Sequence, residues 1–111
     1  MTPTANNLDR ARVLLSVQRA LLMAITPEMR AIDVSWNNCE IRLRFTLEKP
    51  GETDMNELTN EVEAEVEADF IPEARVSSEV DIVPIGTPVP LQNPLNGVSA
   101  RVFARRELSC P

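Results

Sequence analysis

The sequence predicts an α+β domain: two helices on one face of a four-stranded, mainly antiparallel sheet, in the order α-β-β-α-β-β. Three observations carry that expectation. Apolar residues recur at a helical period over 8–25 and again over 55–70. Strict apolar–polar alternation marks 32–36 and 41–47. Two further alternating stretches follow the second helix. A chain of 111 residues is long enough for one modest core, so the expectation is a single domain, 1–111, with short tails at 1–6 and 107–111.

In the first helix, 8–25, Ala11, Leu14, Leu15, Val17, Leu21, Leu22 and Ile25 share a broad arc, leaving Arg12, Ser16 and Arg19 outside it. Asn6 or Asn7 can cap its start, and Asp9 falls in its first turn, where the helix dipole favours an acid. Pro27 disfavours helical geometry at Thr26 and should end the helix. Next, Ile32, Val34 and Trp36 alternate with Asp33 and Ser35, and Ile41, Leu43, Phe45 and Leu47 alternate with Arg42, Arg44 and Thr46. An Asn37-Asn38 turn suits a two-residue hairpin, because asparagine tolerates positive φ. That turn would pair Trp36 with Cys39, Val34 with Ile41, Ile32 with Leu43 and Asp33 with Arg42.

Thr53 or Asp54 can cap the second helix, on which Met55, Leu58, Val62, Val66 and Phe70 form a stripe that faces the sheet, and Pro72 closes it. Val76, Ser78, Val80 and Ile82 share one phase of a third strand. In the fourth, Val98, Ala100, Val102 and Ala104 take one phase, and Arg101, Phe103 and Arg105 the other. Between them the proline-rich "GTPVPLQNPLNG" reads as an extended surface loop.

Charge is the main functional clue. Between Pro50 and Ala74 there are nine acids and no base, whereas the other 86 residues hold eight acids and eleven bases. Within the second helix Glu57–Glu61, Glu61–Glu65, Glu63–Glu67 and Glu65–Asp69 are like-charge pairs four apart, each unfavourable by roughly 0.2–0.5 kcal/mol. The last acids also lie near the helix C-terminus, where the dipole disfavours them. A packed apolar stripe can carry such a helix, so the acids are either a solvated face or a surface for a cationic partner. The candidate partner-binding residues are Glu52, Asp54, Glu57, Glu61, Glu63, Glu65, Glu67 and Asp69.

The residue inventory argues against catalysis. Without histidine there is no Ser–His–Asp or Cys–His arrangement and no imidazole zinc site, and three dispersed glycines make no phosphate loop. No catalytic residue, cofactor or metal is expected. The net charge of −6 disfavours nucleic acid as a partner, and no apolar run approaches the roughly 20 residues of a membrane span. The segment "MTPTANNLDR" lacks the layout of a secretory signal, and two distant cysteines suit reduced thiols, so a cytoplasmic protein is expected.

The run "LLSVQRALLMAITPEMRAIDVSWNNCEIRLRF", followed by "EVEAEVEADF" and "VFARRE", resembles immunity proteins of bacterial contact-dependent growth inhibition systems. The resemblance implies a cytosolic protein that binds and neutralises a cognate toxin domain delivered by a neighbouring cell. Such toxins are commonly nucleases with basic surfaces, which would give the self-repelling helix a purpose. The alternative is a non-catalytic adaptor or oligomerisation module that uses a sheet edge or the exposed face carrying Arg101 and Phe103.

Overall fold

The computed structural model describes residues 8–37, 39–51, 54–70, 72, 74–90 and 98–105. Six elements follow the expected order: α1 (Arg10–Ala20), β1 (Met29–Trp36), β2 (Glu40–Leu47), α2 (Met55–Phe70), β3 (Arg75–Ile82) and β4 (Val98–Ala104). The expected tails, 1–6 and 107–111, lie outside the described residues, as does Cys110; Cys39 is an exposed free thiol.

The sheet runs β3-β2-β1-β4 and is mainly antiparallel, as expected, but mixed, because one of its three pairings is parallel. β1 pairs antiparallel with β2 and with β4, but β2 and β3 are parallel. The cause is α2: a helix that connects two neighbouring strands returns the chain to the end where it began, so the next strand points the same way. Val13, Val17 and Ala20 of α1 and Val62, Val66 and Phe70 of α2 join one apolar cluster with Ile32, Val34, Trp36, Ile41, Leu43 and Phe45. These sheet residues share a face, so both helices cover the same side.

The hairpin forms, but in a different register. Trp36 lies opposite Ile41 rather than Cys39, Val34 opposite Leu43, Ile32 opposite Phe45, and Asp33 opposite Arg44 rather than Arg42. The reason lies in Asn37, whose side-chain oxygen accepts from the amides of Cys39 (2.9 Å) and Glu40 (2.8 Å). Its own amide donates to the Glu40 carbonyl at 3.0 Å, which makes 37 and 40 the closing pair. Asn38, the other half of the expected turn, lies outside the described residues. A slip of two along one strand keeps every side chain on its face, so the expected core survives the wrong pairing.

α1 is shorter than expected and turned. Asp9 is the cap, accepting from the Arg12 amide, while Asn6 and Asn7 lie outside the described residues. The helix ends at Ala20 with Leu21 as its C-cap, well before Pro27, and Met23 then takes a left-handed φ of 66°. Its buried face is Val13, Ser16, Val17 and Ala20. At 100° per residue that face is rotated by about 140° from the centre of the expected arc. Small side chains seat the helix, and Ser16 is tolerated because its hydroxyl finds a partner on α2. Leu15 and Leu22 are left 65% and 72% exposed.

β4 carries a bulge that accounts for Phe103. Asp33 pairs with Arg101 but Ile32 pairs with Phe103, so Val102 is an extra residue. The phase switches there, and Phe103 packs against the helix-side cluster while Arg101 stays on the opposite face. The exposed face expected to carry both residues therefore does not exist as one surface.

That second face is occupied by the chain's own strap, 83–90, the described half of the proline-rich connection. Arg30 donates to the carbonyls of Val83 (3.1 Å), Pro84 (3.0 Å) and Thr87 (2.7 Å). Arg101 and Arg44 both reach the carbonyl of Pro90. The turn into the strap places Gly86 at φ 96°, a conformation glycine adopts freely. Beneath it Asp33, only 1% exposed, receives Arg44 at 2.6 Å and Arg101 at 2.7 Å.

Candidate functional site

Asp54 starts α2 by accepting from the amides of Asn56 (3.0 Å) and Glu57 (3.3 Å), so its charge serves as a cap. Thr53, the other expected cap, and Glu52 lie outside the described residues. Thr59, Val62, Val66 and Phe70 are buried, with Met55 and Leu58 packed at the edge of the core, so the expected stripe is the one that faces inward. This burial holds together a helix whose surface charges repel.

Around the stripe the acids divide by helical position. Glu57, Glu61 and Glu65 are exposed on the flank beside α1, and Glu63 and Glu67 are half-buried on the other flank. None of the five has an ion-pair partner among the described residues.

Asp69 behaves differently. Its carboxylate accepts from the Ser16 hydroxyl at 2.5 Å and pairs with Arg19. Arg12 donates to the Asp69 carbonyl at 2.6 Å and lies 4.5 Å over the Phe70 ring. Two cations from α1 thus neutralise the end of α2 where the dipole disfavours negative charge. The Ser16 hydrogen bond foremost, and then the Arg19 charge, hold the Asp69 carboxyl below the usual aspartate range, against a desolvation that raises it. A depressed carboxylate contributes stability above its unfolded pKa and loses it as pH falls through the folded value. Asp69→Asn should therefore lower the urea midpoint at pH 7 and lose less stability than the wild type on acidification to pH 3. Parallel pH profiles for the two proteins would place Asp69 outside the α1–α2 clasp.

The two helices run antiparallel, so the turn after α1 lies beside the first turns of α2. Between them is a groove of about 420 Å3 bounded by Leu22 and Met23 on one side and by Asp54, Glu57, Glu61 and Glu65 on the other. The exposure of Leu22 and Met23 was hidden in the sequence, where the former counted as core. Among the described residues no group of three or more Cys, Asp or Glu is arranged to hold a metal ion. No helix there is long and apolar enough to cross a membrane.

A fold whose surface glutamates on α2 find no ion-pair partner among the described residues, beside an open groove, is suited to holding another protein. The model of the MafI2 immunity protein family matches residues 10–107, and the chain belongs to that family. The resemblance to immunity proteins seen in the sequence holds at this level, and membership implies a toxin as protein partner. No curated protein matches the chain.

Proposed function

We propose that this protein is a non-catalytic, cytoplasmic immunity protein of a contact-dependent toxin system, and that it neutralises a basic toxin domain, a nuclease, through the acidic surface of α2. The observation that carries this reading is the set of glutamates, Glu57, Glu61, Glu63, Glu65 and Glu67, that repel one another and gain no ion pair within the described fold. Their charge is unfavourable in the free protein and becomes favourable against a cationic surface that otherwise holds nucleic acid. Asp54 adds its charge to this flank while capping the helix, and Glu52 precedes it in sequence. Asp69, already engaged by α1, contributes field rather than a free carboxylate.

The test uses the purified cognate toxin domain, sought among the genes that adjoin this chain's. Replacing Glu57, Glu61 and Glu65 with glutamine should leave the fold intact and relieve a few tenths of a kcal/mol of repulsion per pair. Association should slow by roughly tenfold or more at low salt, and its salt dependence should flatten. The same change at Glu63 and Glu67 reports which flank leads. Equal association rates and equal salt slopes for wild type and both variants would leave a merely solvated helix face.

A further inference from the structure

The groove beside the acidic flank has an apolar floor of Ala20, Leu58 and Val62. Above that floor Leu22 is 72% exposed and Met23 is fully exposed. Large apolar side chains held in water beside a cleft are unfavourable for the free protein and are a usual mark of a contact surface. Met23 reaches this position through a left-handed backbone, uncommon for a residue other than glycine, which ends the helical path and turns its side chain outward.

We propose that this groove seats an apolar side chain of the toxin, on a segment whose neighbouring residues are lysine or arginine. The inference rests on the acidic-flank reading above and deepens it. Charge complementarity selects the occupant. An acidic segment would meet Asp54, Glu57, Glu61 and Glu65, and a wholly apolar one would desolvate these carboxylates without pairing them. A second copy joined two-fold through this face would set the same acids against each other. An apolar anchor flanked by bases satisfies floor and rim together, and methionine adapts to the shape of what it meets.

The two halves of the contact have separable kinetics. Surface charge governs encounter, and a buried apolar anchor governs how long the complex lasts. With the same toxin domain as probe, Leu22→Ser/Met23→Asn should dissociate roughly tenfold or more faster. Its association rate and salt slope should match the wild type. Asparagine accepts the left-handed backbone at position 23, and Met23→Asn alone, at a side chain in full contact with solvent, should show the same direction without altering the melting temperature. Unchanged dissociation in both variants overturns the groove, whatever the glutamine variants do. Faster dissociation with no effect of glutamine at positions 57, 61 and 65 overturns the basic character of the occupant, and no effect at positions 63 and 67 as well separately overturns the acidic reading of α2.

Discussion

Replacing Asp33 with alanine is expected to destabilise the protein by about 3–5 kcal/mol, the usual penalty for removing one partner of a buried ion pair. Asp33 is the single acid between two guanidinium groups, Arg44 at 2.6 Å and Arg101 at 2.7 Å. Without it, two like charges remain under the strap, one of them on a side chain only 10% exposed. The Asp33 hydrogen bond foremost raises the Arg101 pKa, against desolvation. Urea unfolding followed by Trp36 fluorescence measures the effect, since Trp36 is fully buried and is the only tryptophan. A loss below about 1 kcal/mol, the range of an exposed pair, would mean that water reaches this site. Asp33→Asn keeps an acceptor of the same shape and should fall between the two proteins.

Trp36→Ala is expected to cost about 3–5 kcal/mol, the range for truncating a buried large aromatic. Trp36 is 0% exposed, lies opposite both Ile41 and Val98, and donates from Nε1 to the Leu8 carbonyl at 3.2 Å. Arg10 covers its ring at 5.8 Å. The side chain therefore fills the core and ties the approach to α1 to the middle of the sheet. Trp36→Phe should retain most of the volume and lose the tie, for a smaller loss. Circular dichroism against urea follows both variants, and equal stabilities for alanine and phenylalanine would show that the cavity is not what matters.

The parts of this fold that were legible in the sequence are those fixed by periodicity. Alternation at Ile32, Val34 and Trp36 and at Ile41, Leu43 and Phe45 assigns faces, and the stripe from Val62 to Phe70 assigns the inward side of α2. Periodicity is silent about which residue sits opposite which. The hairpin register was set by the Asn37 side chain binding its own turn, an interaction that leaves the alternation unchanged. On α1 the pattern misled because Leu15 and Leu22 look like core and Ser16 like surface, until Asp69 supplies the partner that lets serine be buried. Phe103 was out of phase for a local reason, a bulge at Val102, which a single extra residue does not announce. The acidic candidates were legible as a group. Their division into Asp69, bound to α1, and Glu57, Glu61 and Glu65, beside a groove and without an ion pair among the described residues, depends on the docking of two helices distant in sequence.

The separation between the carboxylates of α2 and the core beneath them bears on how such a protein changes over time. Val62, Val66 and Phe70 face inward and fix the helix, while Glu57, Glu61 and Glu65 share no ion pair with any other described part of the chain. Substitutions on this surface and in the core beneath it, which share no partners, have nearly additive effects. If the proposed reading of α2 holds, a lineage whose toxin drifts can rewrite the outer surface of α2 one residue at a time, each step altering recognition while folding stability shifts by only a few tenths of a kcal/mol.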